Sequence, residues 1–341
     1  LGGERDLPRC APRRNFHSGN VARSGAFPLA NDCVYNGLAN EPTAPFHLQT
    51  TMNRRVFLFA ALSWTMLSMT VTRGDEALRL MTFNIRYNNP ADGENAWPNR
   101  RDWVAQIVRE RNTDLVGMQE ALPGQIADLE QRLPDYAWHG VGRDDGKRGG
   151  EHTPIFYRKS RFEVLDQGAF WLSEQPEQPG SKGWDTAITR VTVWLKLQDR
   201  TTGKELFAFN THFDHVGREA RLQSAKLMLR KISQIAGQAP VVLTGDFNCT
   251  PTSPPYMALT AKTETEGALT LHDSREISKT KPQGPDTTWN GFARIVPDRR
   301  IDFVFVTPGV DVLSHTTLDE SREGRFPSDH LPVLTALQLS R

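Results

Sequence analysis

The sequence predicts an α/β fold with antiparallel character, and three observations carry that expectation. Apolar runs of strand length recur, apolar residues at helical spacing lie between them, and two strand-like runs follow one another with no helix between. The strand-like runs cover residues 78–84, 115–120, 155–157, 206–212, 241–246 and 301–306, and several end on a polar residue. Three helical faces separate them: Trp103, Val104, Ile107 and Val108 after Asn99; Ile126, Leu129 and Leu133 after Pro123; Leu222, Ala225, Leu229 and Ile232 after Gly217. Phe170-Trp171-Leu172 and the alternation over residues 191–197 add strand without an intervening helix, which a purely doubly wound parallel sheet does not allow. Residues 175–183, 250–255 and 282–286 are rich in Pro, Ser and Gly and read as loops. No internal repeat is evident, so a single folded domain over residues 75–341 is expected.

The 341 residues are 38% hydrophobic and 24% charged, ordinary for a globular chain, and the formal net charge is +1. That balance excludes the global basic field of proteins that coat DNA, and leaves nucleic acid only a local patch. Of three cysteines, Cys10 and Cys33 precede Met52 and only Cys249 lies in the expected domain, so no disulfide framework is expected. Residues 1–51 contain no Met and no sustained apolar periodicity, and read as a disordered, non-native upstream extension. Met52 opens Asn53-Arg54-Arg55-Val56-Phe57-Leu58-Phe59 and a mostly apolar stretch to residue 71, which matches a signal peptide over residues 52–74 with a twin-arginine spelling. The alternative, an uncut membrane anchor, is disfavoured because the run is short for a spanning helix. The expectation is therefore an exported protein, periplasmic or secreted, not embedded in a membrane, monomeric and without a stable protein partner.

Several polar residues sit where apolar runs end. Asn84 and Glu120 close the first two runs, Asp246 closes the run before Phe247-Asn248, Asp302 opens the last, and Ser328-Asp329-His330 follows near the C-terminus. A lone Asn or Glu at a strand end is commonly a turn former, so the meaning lies in the company. Oxygen donors without clustered Cys or His favour a hard cation such as Mg²⁺, Mn²⁺ or Ca²⁺ over structural zinc. His212 follows another apolar run, and His330 directly follows Asp329. Phosphate-ester hydrolysis needs neutralised phosphoryl oxygens, an oriented water and help for the leaving oxygen; a metal, two imidazoles and an amide could supply these. His215 reads as an ordinary hydrogen-bonding histidine.

The order Asn84, Glu120, Tyr157, His212, Asp246 with Asn248, Asp302, and Asp329 with His330 resembles the endonuclease/exonuclease/phosphatase superfamily, over nearly all of residues 78–339. That superfamily includes deoxyribonucleases, deadenylases and inositol-polyphosphate 5-phosphatases, and this chain is similar to a bacterial branch. The resemblance implies a four-layered α/β sandwich: two mixed, largely antiparallel sheets packed together, with flanking helices and a site at one edge. It implies a phosphoric ester hydrolase that uses Mg²⁺ or Mn²⁺, foremost a phosphodiesterase or nuclease. A phosphomonoesterase on a sugar or inositol phosphate is the alternative, and a non-catalytic binding protein the second. Carried over residue by residue, Glu120 would be the principal metal ligand, assisted by Asn84 and Asp329. Asp246 and Asn248 would orient the attacking water and the scissile phosphate, and Asp302 would pair with His330. Glu151 would orient His212, and Tyr157 would touch a phosphate oxygen unless it is a core aromatic. Arg86 departs from the apurinic/apyrimidinic branch, which has an acid there; a cation at that place disfavours a second metal and could bind phosphate.

Substrate choice would fall to the loops. Arg143, Lys147 and Arg148 lie in a Gly-rich stretch before Glu151, and Trp184 and Arg190 follow a second loop. Arginine suits bidentate phosphate contact and Trp can stack on a base or sugar, although such loops are also often merely solvated. Asp144, Asp145 and Glu151 nearly cancel the local charge, so a long polyanion is not favoured. Cys249 reads as a small buried filler.

Overall fold

Alternation along the strands decides the layering. In β1 (Leu78–Asn84), Leu78 and Leu80 face one way while Met81 and Phe83 face the other, as a period of two requires. Both faces of this strand are buried, so its sheet is covered on two sides there. The computed structural model describes residues 77–261 and 269–340. The upstream extension, the signal peptide, Cys10 and Cys33 lie outside the described residues.

The first sheet also contains β2 (Leu115–Gln119), β3 (Tyr136–His139), β4 (Ile155–Arg158), β11 (Val310–Thr317) and β12 (Val333–Leu339), in the order β11-β12-β1-β2-β4-β3. The second is formed by β5 (Phe162–Trp171), β6 (Val191–Asp199), β7 (Glu205–His212), β8 (Val241–Asp246), β9 (His272–Asp273) and β10 (Asp302–Val306), in the order β5-β6-β7-β8-β10-β9. Among the strands of the described residues, β1 with β2 and β7 with β8 are the pairs that run parallel. Each parallel pair is bridged by a helix, α1 (Arg101–Glu110) and α3 (Arg218–Ala236), as a crossover demands. Both sheets are thus mixed and largely antiparallel.

Three apolar clusters hold four layers. Leu78, Leu80, Leu115 and Ile155 of the first sheet meet Val193, Leu195, Ala208, Val242 and Val304 of the second. The outer face of the first sheet packs Met81, Phe83, Val116 and Met118 under α1 and α2 (Pro123–Arg132) through Val104, Ile107, Ile126 and Leu129. The outer face of the second packs Phe209, Leu243, Phe303 and Phe305 under α3 and α4 (Pro254–Thr260) through Ala225, Met228, Ile232 and Leu259. The buried face of α3 keeps Ala225 and Ile232 of the expected face but is displaced at its edge. Ala220, Ser224, Leu227 and Met228 are buried, whereas Leu222 and Leu229 are only half-buried, because small residues allow the helix to sit close over the phenylalanines. The loop expected at residues 250–255 gives way at Pro254 to α4, which starts on a proline that has no N–H to lose.

Just beneath one edge, a polar layer replaces the apolar inter-sheet core. Asn210 of β7 donates through Nδ2 to the carbonyls of Met118 (2.7 Å) and Pro154 (3.1 Å), and its Oδ1 accepts from Gln119 Nε2 (2.7 Å) and Thr244 Oγ1 (3.0 Å). A Cβ on Gly117 would lie 2.1 Å from Thr244 Oγ1 and 2.6 Å from Asn210 Oδ1, so only glycine permits this approach of the two sheets. Among the described residues, no helix is long and apolar enough to cross a membrane.

Candidate active site

The strand alternation that fills the inter-sheet core also builds the site. Asn84, His212, Asp246 and Asp302 occupy the same phase as Leu80, Ala208, Val242 and Val304, so they point between the sheets at the strand ends above the polar layer. Register then sets their neighbours: Asp246 stands opposite His212 across the β7–β8 pairing and opposite Asp302 across β8–β10. Asn84 ends β1, and its Nδ2 donates to Glu120 Oε1 (3.1 Å) and Asp246 Oδ2 (2.9 Å), which links the two sheets' carboxylates. Glu120, Arg86 and Asn248 all adopt positive φ (63°, 56° and 47°), a costly backbone state for non-glycine residues that clusters at functional turns.

Ser328 fixes the third wall. Its Oγ donates to the carbonyl of Asn84 (2.7 Å) and lies 3.2 Å from Asp329 Oδ1, and the His330 N–H lies 3.4 Å from the same Oγ. Asn290 braces this turn through Nδ2 to the Ser328 carbonyl (3.0 Å). Arg100, which nothing in the sequence reading singled out, donates from Nη2 to the Arg86 carbonyl (2.7 Å) and from Nη1 to the carbonyls of Ile85 and Pro327 (3.2 Å for the latter). Its position at the start of an ordinary amphipathic helix gave no sign of this role. Nor did Gln119 and Asn210, whose polarity in apolar runs was the available signal.

The two histidines are driven in opposite directions. Burial works against a charge on His330, but Asp302 Oδ2 at 2.8 Å from Nδ1 and Asp246 Oδ2 at 3.8 Å from Nε2 hold its pKa well above the ordinary value. His330 is therefore an imidazolium. His212 is buried and lies near Arg190 and Arg143, and both effects press its pKa well below the ordinary value, so it is neutral. Burial, followed by the charge of Asp302, pushes Asp246 up to about 7, where a carboxylate can exchange a proton near neutrality. Asn248 donates from its backbone N–H to Asp246 Oδ1 (2.9 Å) and from Nδ2 to His212 Nε2 and the Phe213 carbonyl (both 3.1 Å).

The donor set fits a hard divalent cation. Among the described residues, Glu120, Asp246 and His330 each offer a ligand atom within 4.8 Å of the others. Burial and Glu120 raise the pKa of Asp329 as well, and Asp302 Oδ1 is buried without a partner. A buried cluster of carboxylates with a spare acceptor lowers its own repulsion by holding a cation, and oxygen-rich sites suit Mg²⁺ or Mn²⁺. This grouping shares Glu120 with the expected trio of Asn84, Glu120 and Asp329, and the other two members of that trio stand beside it. Asn84 Oδ1 accepts from the Arg86 N–H (3.0 Å), and Asp329 faces Arg86, whose Nε lies 3.9 Å away.

Other expected residues are placed as follows. Arg86 pairs with Asp92 (3.0 Å) and lies within 4.0 Å of Glu120; burial lowers its pKa, but these acids together raise it further. Glu151 receives Arg143 Nη1 at 2.5 Å, and that arginine, not His212, is its hydrogen-bond partner. Arg190 is buried against His212, and its Nη2 meets His215 Nδ1 at 3.1 Å. Two further expectations are corrected. Tyr157 stands opposite Leu115, at the far end of the β2–β4 pairing from Glu120, and packs on the inter-sheet core, because β4 runs away from the site. Trp184 packs on the α3 cluster and borders Leu227 and Lys231, because neighbouring Asp185 caps α3 through the Ala220 N–H (2.6 Å) and carries the ring there. Cys249 is buried in that cluster, and burial pushes its thiol up to about 11.

Similarity to known proteins agrees with this architecture. A solved endonuclease/exonuclease/phosphatase from Bacteroides vulgatus is 46% identical, with a TM-score of 0.74, covering 77% of this chain and 99% of that one. A mannosyl-6-phosphatase from Bacteroides thetaiotaomicron is 36% identical, with a TM-score of 0.70, covering 76% of this chain and 99% of that one. Nocturnin from Drosophila melanogaster is 22% identical over 71% of this chain, which spans 42% of its length. The Ccr4 3'-5'-exoribonuclease subunit from Mycosarcoma maydis is 20% identical over 78% of this chain, which spans 51% of its length. The model of the Endonuclease/Exonuclease/phosphatase family matches residues 81–330, from the first strand to His330, and the chain belongs to that family of phosphoester hydrolases.

Proposed function

We propose that this chain is a divalent-metal-dependent hydrolase of small phosphate esters, with a phosphorylated sugar as the leading substrate class. The observation that carries the reading is the convergence of Glu120, Asp246 and His330, drawn from both sheets and the C-terminal turn, within 4.8 Å; Glu120, with Asn84 and Asp329 beside it, would hold the cation and leave Asp246 to the water and His330 to the phosphoryl group. When bound, Mg²⁺ or Mn²⁺ would supply positive charge against the phosphoryl oxygens. Asp246 accepts a proton from the attacking water, for which a pKa near 7 suits it. Asn248 holds that carboxylate through its backbone N–H and turns its amide toward the same space. His330, kept protonated by Asp302, donates to a phosphoryl oxygen as negative charge gathers there. Water oxygen bonds to phosphorus as its proton passes to Asp246, the bond to the leaving oxygen breaks with its electron pair, and that oxygen takes a proton from solvent, so orthophosphate and an alcohol are released.

The sugar-phosphate assignment is supported by the 36% identical mannosyl-6-phosphatase and by the formal net charge of +1, which offers a long nucleic acid no global attraction. Phosphodiester hydrolysis is the second reading, supported by the exoribonuclease relative. Turnover of mannose 6-phosphate, p-nitrophenyl phosphate, bis(p-nitrophenyl) phosphate and an oligoribonucleotide, with Mg²⁺ or Mn²⁺ and with EDTA, separates the two. Equal turnover in EDTA, or full turnover by Asp246→Ala, overturns both. Export is proposed on the basis of residues 52–74 alone; mass spectrometry of the N-terminus from a native host should find a start near residue 75, and intact residues before Met52 would contradict it.

A further inference from the structure

Beside His212 lie two arginines with more donors than partners. The side chain of Arg190 is 4% exposed; its Nη2 meets His215, but Nη1 and Nε are buried with no hydrogen-bond partner. Asp214 Oδ2, at 3.7 Å from Nε, is already engaged by the N–H groups of Ala187 (3.2 Å) and Ile188 (3.4 Å). Arg143 spends Nη1 on Glu151, and its buried Nε makes no hydrogen bond, with Asp144 Oδ1 at 3.8 Å. Buried donors in native proteins are nearly always satisfied, so unsatisfied guanidinium N–H groups point to a missing acceptor. Arg143, Glu151, Thr153, Arg190 and His212 line a cavity of about 10 Å³, room for one oxygen atom. His212 also touches Asn248 (3.1 Å) and Asp246 (3.4 Å), so the cavity abuts the proposed centre of reaction.

We propose that this cavity is a notch for one non-bridging oxygen of a phosphate monoester, and that it discriminates against diesters. The inference rests on the phosphoester-hydrolase reading above. A monoester presents three non-bridging oxygens around the scissile bond, and a diester presents two and an alkylated oxygen. With the metal-binding cluster and the His330 side taking one each, the third position faces Arg190 and Arg143. An alkyl group there has no room in a cavity of that size, and it replaces an anionic acceptor by one that cannot satisfy two guanidinium groups.

The test uses methylphosphonate and its monomethyl ester, neither of which is cleaved at its P–C bond, titrated calorimetrically into the protein with Mg²⁺ and with EDTA. Turnover of p-nitrophenyl phosphate and bis(p-nitrophenyl) phosphate is measured alongside. The wild type should bind methylphosphonate at least about tenfold more tightly than the ester. Arg190→Met should abolish that difference and cut the monoester-to-diester ratio of kcat/KM by about 100-fold, mostly through monoester turnover. If Arg190→Met does not fold, as a thermal melt would show, Arg143→Gln should shift the same ratio in the same direction. An unchanged ratio in a folded variant, or a wild type without preference, overturns the notch and leaves the cavity as the seat of a water. Phosphonate discrimination without turnover of any ester would sink the hydrolase reading and leave the notch standing.

Discussion

One residue type is charged on one side of Asp246 and neutral on the other. His330 is an imidazolium because Asp302 and Asp246 face it, while His212 is neutral because burial and two arginines surround it. Asp302→Ala removes the nearer anion, so the His330 ring should titrate at lower pH by NMR, and kcat should fall by about 10² to 10⁴-fold, the usual range for lost acid–base assistance. Unchanged titration of His330 would contradict the pairing. A second histidine makes a pH prediction away from the site. Burial, with Arg275 and Arg300, lowers His315 to about 3, so it is neutral when folded and is protonated when unfolded below its ordinary 6.5. The unfolded state then binds the extra proton, and stability present above pH 6.5 is lost as pH falls from 6.5 toward 3, by up to about 1.4 kcal/mol per pH unit for that one proton. Denaturant midpoints of the wild type and His315→Asn between pH 7.5 and 5 check this; equal pH slopes would contradict it. Asp246, Asp302 and the Ser328-Asp329-His330 turn were legible because polar groups at the ends of apolar runs are conspicuous in sequence. The burial of Arg190 was not, since no local pattern marks a loop arginine that tertiary packing encloses.

Period-two alternation of the strands does double duty at the level of elements. It packs Leu80, Ala208, Val242 and Val304 between the sheets and, by the same phase, delivers Asn84, His212, Asp246 and Asp302 to one edge. The ends of β1 and β8 were read from sequence to the residue, because each is a continuous apolar run closed by a polar group. β3 is only Tyr136–His139, and β11 runs through Asp311, Ser314 and His315, so neither shows a clear apolar run. Tyr157 takes the core alternative because β4 runs antiparallel to β2, a direction that sequence spacing does not reveal. Gly117 tests the closeness of the sheets. Gly117→Ala puts a methyl 2.1 Å from Thr244 Oγ1, and should destabilise the protein by about 1 to 3 kcal/mol in a denaturant titration. A variant as stable as the wild type would show that the polar layer yields easily.

Across the whole molecule, the two sheets contribute different halves of one centre. The first supplies Asn84 and, just after β2, Glu120; the second supplies His212, Asp246 and Asp302; and the turn before β12 brings His330 between them. Neither sheet alone holds the set, so catalysis should be lost as the sandwich loosens, at or before global unfolding. The four-layer order became legible in the sequence only through the family resemblance, since alternation shows which faces are apolar but not which sheets meet. Because the centre lies at the sandwich edge without a global basic field, turnover of small esters should depend weakly on salt, whereas oligonucleotide binding with many phosphate contacts would fall steeply. The most direct test of the central claim is orthophosphate release from mannose 6-phosphate by the wild type and Asp246→Asn, each with Mn²⁺ and with EDTA. Release by the wild type with Mn²⁺, abolished by EDTA and reduced at least about 100-fold by the substitution, is the predicted result; release that survives EDTA or the substitution would contradict it.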